Sequence, residues 1–70
     1  MEVGMQADAG LKAAIEVAGG IRALARALGV APSALYGWRR VPAYRILQVE
    51  AVTGVDRAIL RPDLYRARPQ

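Results

Sequence analysis

One stretch of the chain constrains its fold more than any other: residues 21–40, with the sequence IRALARALGVAPSALYGWRR. Its first part carries apolar side chains at helical spacing, namely Ile21, Leu24, Ala25 and Leu28. Gly29 follows directly, where a helix end favours the left-handed conformation that glycine adopts easily. Pro32 then suits the first turn of a new helix, because its missing N–H loses no hydrogen bond there. The pattern predicts two short helices joined by a tight turn.

The second of these helices combines an apolar side with basic residues at its end. Leu35 and Trp38 lie three residues apart and supply the apolar side, and Arg39 and Arg40 follow. A helix, a glycine turn and a second helix that ends in arginines is typical of a helix-turn-helix unit, whose second helix enters the major groove of DNA. The sequence therefore predicts a recognition helix from Pro32 to Trp38 or Arg39.

The N-terminal part of the chain predicts one further helix. Asp8 is a suitable N-cap for a helix that runs through Val17, and the glycine pair at 19–20 ends it. Residues 1–7 show no periodicity, and residues 66–70 are basic and carry a proline. We therefore expect one domain over residues 8–65, with flexible tails at 1–7 and 66–70.

Two more helices are expected in the C-terminal half. Pro42 breaks the chain and begins a fourth helix through about Val52. Its inward stripe is expected to consist of Ile46, Val49 and Val52. Asp56 is placed to cap a short fifth helix, from Arg57 to Leu60, which Pro62 ends. Because no strand pattern is present in the sequence, the predicted class is all-α, a compact bundle of five short helices.

The hydrophobic core that such a bundle can form is small. Alanine supplies 14 of the apolar residues, so the hydrophobic share of 54% overstates the surface available for burial. The bulky candidates are Leu11, Ile15, Ile21, Leu24, Leu28, Val30, Leu35, Trp38, Ile46, Leu47, Val49, Val52, Ile59, Leu60 and Leu64. A core of this size supports about 3–5 kcal/mol of net stability. We therefore expect a homodimer, because a second copy would help to stabilise the fold.

Composition and charge argue against catalytic and metal-binding functions. The 70 residues contain no cysteine and no histidine, and the six acidic residues are neither clustered like metal ligands nor paired for acid–base catalysis. We therefore expect no enzyme activity, no cofactor and no metal. The net charge of +4 and the pI near 10.4 favour a polyanionic partner. Nine of the ten basic residues are arginine, whose planar fork fits phosphate and guanine.

The sequence shows no sign of an export signal or a membrane segment. The N-terminus carries the acidic Glu2 and lacks the basic region of a signal peptide. No apolar run approaches the roughly 20 residues that span a bilayer. The breaks at Gly29, Pro32 and Pro42 also argue against a long amphipathic helix on a membrane surface. We expect a cytoplasmic protein that binds no membrane.

Four segments occur in an order that resembles one family. They are AGGIRALARALGV, SALYGW, VPAYRILQVEAVTGV and LRPDLY, and together they are similar to the small phage Cro-type and YdaS-type regulators. The resemblance covers Leu11 to Tyr65, most of the chain. It implies a compact lambda-repressor-like DNA-binding domain of bacterial or phage origin, often dimeric, that regulates transcription and associates with the nucleoid.

The leading hypothesis is a sequence-specific regulator of transcription that binds double-stranded DNA. As a repressor it would bind a near-palindromic operator as a dimer, with half-sites about 34 Å apart. Two alternatives stay open. One is an antitoxin-type regulator of a toxin–antitoxin or prophage module, which the resemblance also implies. The other is an interaction module of helix-turn-helix shape whose basic face binds an acidic protein.

Five residues are candidates for reading base edges in the major groove: Ser33, Ala34, Tyr36, Gly37 and Arg40. Ser33 can donate or accept a hydrogen bond, and Ala34 offers a methyl group that suits the thymine methyl. Tyr36 presents an apolar ring with a hydroxyl at its tip. These side chains predict a reading surface with few polar groups.

Two departures from the family pattern make an arginine the expected base-reading residue. Many relatives carry glutamine at the positions of Ile21 and Pro32, where the pair clamps adenine. Without it, Arg40 is the expected guanine reader. Gly37 admits three interpretations: it lets the helix approach DNA closely, it packs against a neighbouring helix, or it loosens the helix end.

Four arginines are candidates for phosphate contacts: Arg22, Arg26, Arg39 and Arg45. Arg22 and Arg26 lie one turn apart and off the apolar stripe of their helix, where like charges repel unless a polyanion binds. An ordinary solvated face is the alternative interpretation for both residues.

The remaining aromatic and acidic residues are expected to be structural. Trp38 occupies an apolar position of the motif and is expected in the core rather than stacked on bases. Tyr44 and Tyr65 are expected to pack against the domain. Glu50 is a candidate ion-pair partner for Arg61.

Overall fold

The computed structural model describes residues 7–65. Within that range the chain forms five α-helices and one 3-10 turn, and it contains no strand. The elements are α1 (Ala9–Ala18), α2 (Ile21–Leu28), α3 (Pro32–Tyr36), the 3-10 turn (Ala43–Arg45), α4 (Ile46–Thr53) and α5 (Arg57–Leu60). The expected all-α bundle of five short helices is confirmed. The two expected tails lie outside the described residues, apart from Ala7.

Local hydrogen bonds explain where α1 and α5 begin. The Asp8 carboxylate accepts from the Leu11 N–H at 2.9 Å, and the Asp56 carboxylate accepts from the Ala58 N–H at 2.8 Å. Each bond satisfies a backbone donor that has no acceptor inside its own helix. Both N-caps predicted from the sequence are confirmed.

The second helix of the helix-turn-helix is shorter than the sequence indicates. α3 ends at Tyr36, and Gly37 is its C-cap, with an N–H that donates to the Ala34 carbonyl at 3.3 Å. The prediction that this helix continues to Trp38 or Arg39 is wrong. Glycine is a poor helix former, and without side-chain support the backbone leaves the helix at this position.

The helix after the proline break begins later than expected. Pro42 is extended, with a ψ of 145°, and the α-helix starts only at Ile46. In between, the Arg45 N–H donates to the Pro42 carbonyl at 2.9 Å and closes the 3-10 turn. Pro42 therefore precedes the helical backbone instead of occupying its first turn.

The core lies where all five helices meet. Its buried members are Leu11, Ala14, Leu24, Ala25, Leu28, Leu35, Val41, Ile46, Val49, Val55 and Leu60. Trp38 and Tyr65 are partly buried and pack against this cluster, as the sequence predicts. Val41 and Val55 are core residues that sequence reasoning missed, because they lie in the loops before and after α4 rather than on a helical stripe.

Other apolar residues expected in the core lie on the surface. These are Leu47, Val52, Ile59 and Leu64. Tyr44, which was expected to pack against the domain, is 82% exposed. The error at Val52 has a geometric reason, since the helical repeat carries the inward stripe of α4 from Val49 to the half-buried Thr53.

α1 and α5 cross at a point where only glycine fits. A Cβ atom on Gly10 would lie 2.5 Å from the Ile59 carbonyl oxygen and 2.6 Å from that of Leu60. Both carbonyl oxygens are backbone atoms, so no side-chain rotation could relieve the overlap. The buried Gly10 therefore lets the two backbones touch. The hydrophobic pattern of α1 does not indicate this requirement.

Candidate nucleic-acid interface

A left-handed glycine joins α2 to α3. Gly29 has a φ of 75°, a conformation that glycine adopts without steric cost. The Val30 N–H donates to the Ala25 carbonyl at 3.0 Å and closes the end of α2. Ala25 is itself buried, and its small side chain lets α2 and α3 pack closely. This turn is the one that the sequence predicts for a helix-turn-helix.

α3 presents a short exposed face opposite the core. Leu35 is fully buried and anchors the helix, whereas Ser33, Ala34 and Tyr36 are exposed. The Tyr36 side chain is 53% exposed. Three of the residues predicted to read bases therefore lie on one accessible face, and a fourth, Gly37, follows directly at the helix end. The residues of α3 that the sequence predicts to read bases are therefore accessible to a partner.

The surroundings of Gly37 decide between its structural interpretations. Its φ is −87°, a value open to any residue, and the nearest atom to an added Cβ would be the Ala34 carbonyl oxygen at 3.7 Å. That distance is an ordinary contact, so the close-packing interpretation is wrong. The helix-end interpretation is confirmed, because Gly37 is the C-cap of α3. Close approach to DNA stays a prediction for this residue.

Arg40 lies in the loop after α3 rather than on the helix. One of its guanidinium nitrogens, Nη1, is 3.8 Å from Asp63 Oδ2, and both side chains are about half exposed. A pair of this exposure contributes little stability. Arg40 is therefore beside an acidic group, held loosely enough for a stronger ligand to compete.

Three of the predicted phosphate-binding arginines are exposed and form no ion pair among residues 7–65. Arg22 and Arg26 lie one turn apart on α2, and Arg39 lies just beyond α3. Within residues 7–65, the ion pairs involve Arg40, Arg57 and Arg61 instead. Lys12 on α1 and Arg45 in the 3-10 turn also form no ion pair in the described part of the chain, so three of its five unpaired basic residues lie on or directly beside the helix-turn-helix unit.

The fourth predicted phosphate-binding residue, Arg45, has a different environment. It is half-buried at the end of the 3-10 turn. Its Nη1 donates to Gln48 Oε1 at 2.8 Å, and its guanidinium carbon lies 5.7 Å from the centroid of the Tyr44 ring. Arg45 is thus oriented by two neighbours, whereas the other three arginines extend into solvent.

A buried arginine that sequence reasoning misassigned supports the loop after α3. The Arg61 side chain donates from Nη1 to the Val41 carbonyl at 2.9 Å. Its Nε and Nη2 donate to the two oxygens of Asp63 at 2.9 and 2.7 Å. These hydrogen bonds lower the pKa of Asp63 to about 2 and raise the pKa of Arg61. The Arg-Pro-Asp spacing at 61–63 is the sequence signal for this bidentate pair.

The predicted pairing of Glu50 with Arg61 is wrong. Glu50 Oε1 lies 3.1 Å from Arg57 Nη2, and its Oε2 accepts from the Arg57 backbone N–H at 3.1 Å. Glu50 faces the first residue of α5, while Arg61 follows the last one and turns under the α3–α4 loop. The two ends of α5 thus contact different parts of the fold: Arg57 contacts α4, and Arg61 contacts the loop after α3.

The described residues hold no group of three or more acidic, histidine or cysteine side chains arranged to bind a metal. None of the helices within that part of the chain is both long and apolar enough to cross a membrane.

Comparison with known proteins identifies the family. The family profile described as "Bacterial toxin YdaS" matches residues 11–69. No curated protein matches the chain. Among solved structures, the Cro protein from the putative prophage element Xfaso 1 in Xylella fastidiosa strain Ann-1 matches with 42% identity and a TM-score of 0.76. That match covers 86% of this chain and 100% of the other. Both matches confirm the resemblance read from the sequence, and the chain belongs to the Cro/YdaS-like family of phage-related, helix-turn-helix DNA-binding regulators.

Proposed function

We propose that this chain is a sequence-specific regulator of transcription that represses by binding a near-palindromic operator as a homodimer. One observation carries the proposal. Arg22, Arg26 and Arg39 are exposed and form no ion pair among residues 7–65, and they lie on the helix before α3 and in the loop after it. Unpaired positive charge on the helix before α3 and in the loop after it suits binding to the phosphates beside the major groove. DNA as the partner also implies action in the cytoplasm, at the nucleoid.

In this proposal α3 supplies the contacts that distinguish sequences. Ser33 and Tyr36 offer polar groups to base edges, and Ala34 offers a methyl group to thymine. Gly37 leaves room for the DNA at the end of the helix. Arg40 reads guanine after it moves away from Asp63, a change that costs little because the half-exposed pair is weak.

Four arginines supply the contacts that do not depend on the DNA sequence. Arg22 and Arg26 on α2, together with Arg39 and Arg45 on either side of the α3–α4 loop, each bind a backbone phosphate. Such contacts orient a protein on the duplex, and they make its affinity fall as salt rises.

The dimer is proposed from the surface as well as from the small core. Large apolar side chains are exposed over residues 7–65, namely Val17, Tyr36, Tyr44, Leu47, Val52, Ile59 and Leu64. A second copy would remove part of this surface from water. Two copies would then address half-sites about 34 Å apart on one face of the duplex.

The decisive experiment is selection of binding sites from random duplex DNA by the purified protein. The proposal predicts enrichment of one near-palindromic sequence and binding that weakens steeply as salt increases. Enrichment of a single half-site would contradict the dimer. Failure to retain any duplex at low salt would contradict DNA binding and favour an interaction module that binds an acidic protein.

The family description favours one further candidate, a component of a toxin–antitoxin or prophage module. The matching profile is described as a bacterial toxin, whereas the antitoxin-type regulator expected from the sequence would counteract one. Induced expression in a bacterial host distinguishes the two roles. Growth arrest by this chain alone supports a toxin. If the product of a neighbouring gene arrests growth and this chain relieves that arrest, the result supports an antitoxin.

A further inference from the structure

Gln48 links the helix-turn-helix to the arginine that precedes α4. Its Nε2 donates to the Leu28 carbonyl oxygen at 3.1 Å, and its Oε1 accepts from Arg45 Nη1 at 2.8 Å. Leu28 is the last residue of α2, and a carbonyl at a helix end has no partner within its own helix. One amide side chain therefore caps α2 and restrains Arg45 at the same time.

The ring of Tyr44 restrains the same guanidinium from a second direction. It lies 5.7 Å from the guanidinium carbon of Arg45, within the range of a cation–π contact. Because Tyr44 is largely exposed, burial in the core does not explain where this ring lies. The ring instead contacts the guanidinium of Arg45, a half-buried residue.

The restrained guanidinium keeps donors for a ligand. Arginine carries five N–H donors, and the bond to Gln48 engages Nη1. Among residues 7–65, no carboxylate lies within ion-pair distance of Arg45. A planar guanidinium fixed at one edge can offer another edge to two phosphate oxygens. Orienting it before binding also reduces the side-chain entropy that is lost on binding.

We propose that Gln48 is a positioning residue for DNA binding, which orients Arg45 toward a backbone phosphate beside the turn of the helix-turn-helix. The inference rests on the proposed DNA-binding function. It adds a residue that acts on binding through Arg45 without itself contacting DNA.

A double-mutant cycle on a random-sequence duplex tests this role. Arg45→Ala weakens binding to all sequences and lowers the slope of log affinity against log salt by about one. Gln48→Ala weakens binding by about threefold, because an unrestrained Arg45 loses more side-chain entropy when it binds a phosphate. In the Arg45→Ala background, Gln48→Ala causes no further loss. Effects that multiply in the double variant would overturn the proposal.

A second variant separates the two hydrogen bonds of Gln48. In Gln48→Glu the carboxylate still accepts from Arg45, but it cannot donate to the Leu28 carbonyl, and its charge competes with phosphate for the guanidinium. We expect weaker DNA binding than in Gln48→Ala. Equal or tighter binding would contradict the proposed contact between Arg45 and phosphate.

The readouts distinguish this inference from the proposed function. All titrations are made well below the unfolding temperature of each variant, measured by circular dichroism, so that unfolding does not contribute. A wild-type protein that binds no duplex overturns both proposals. A wild-type protein whose binding depends on Arg45 but not on Gln48 overturns only the positioning role.

Discussion

The guanidinium of Arg61 donates a hydrogen bond to the carbonyl oxygen of Val41, twenty residues earlier in the chain, at 2.9 Å. This bond attaches the C-terminal turn to the loop that carries Arg39 and Arg40. The Asp8 N–H holds the same loop from the other side, since it donates to the Arg39 carbonyl at 2.8 Å. The backbone after α3 is thus fixed at two points, while the arginine side chains on it stay exposed.

Loss of Arg61 should destabilise the fold more than loss of a surface arginine. Arg61→Ala leaves the Val41 carbonyl without its partner, and hydrogen bonds to charged groups contribute about 1.5–3 kcal/mol each. Arg61→Lys should recover little, because an ammonium cannot reproduce the planar fork. Urea unfolding measures both. Arg57→Ala is the matched control, with an expected loss below about 1 kcal/mol because its pair with Glu50 is partly exposed. Equal losses in the two alanine variants would contradict the structural role of Arg61.

Acid should weaken the fold through Asp63. The hydrogen bond from Arg61 lowers the pKa of Asp63 from 3.8 to about 2, so the ionised form stabilises the folded state. That contribution is complete above the unfolded pKa and disappears as the pH falls through the folded pKa. We expect the urea midpoint to decrease between about pH 4 and pH 2. Asp63→Asn should flatten this dependence, and an unchanged pH profile in that variant would rule out Asp63 as its source.

Gly10→Ala should destabilise the crossing of α1 and α5. The added methyl group overlaps the backbone carbonyls of Ile59 and Leu60, and overpacking of this kind costs about 1–3 kcal/mol. Thermal unfolding followed by circular dichroism measures the loss. Alanine is normally the better helix residue, so a variant as stable as the wild type would show that the two helices can separate at no cost.

Gly37→Ala should weaken DNA binding without destabilising the free protein. The added methyl group meets nothing closer than 3.7 Å in the protein, and the backbone conformation suits any residue. If α3 lies in the major groove, the methyl group occupies space that the DNA needs. The test pairs thermal unfolding with titration of the selected operator. Undiminished affinity would leave Gly37 as a helix end and nothing more.

Arg22→Ala and Arg40→Ala should affect DNA binding in different ways. Loss of the phosphate contact of Arg22 weakens all sequences alike and lowers the salt slope by about one. Loss of Arg40 relaxes the preference at one base pair and costs about 1–3 kcal/mol on the selected operator alone. Titrations of operator and random duplex at several salt concentrations separate the two patterns. Identical behaviour would mean that Arg40 does not read a base.

Local sequence was sufficient for three helix boundaries that depend on residues a few positions apart. The caps at Asp8 and Asp56 and the left-handed turn at Gly29 follow from side chains and backbone within one helical turn. The order of the four sequence segments between Leu11 and Tyr65 was likewise sufficient to recognise the family. Neither inference requires knowledge of how the helices pack.

Contacts between distant segments could be identified only in the folded structure. The partner of Arg61 lies twenty residues away, and the requirement for glycine at position 10 arises from the backbone of α5. The outward position of Val52 depends on which side of α4 meets the core, a choice between adjacent helical stripes that apolar periodicity alone does not make. Caps and turns are determined by short-range sterics and hydrogen bonds, whereas these pairings depend on distances that are set only when the five helices pack together.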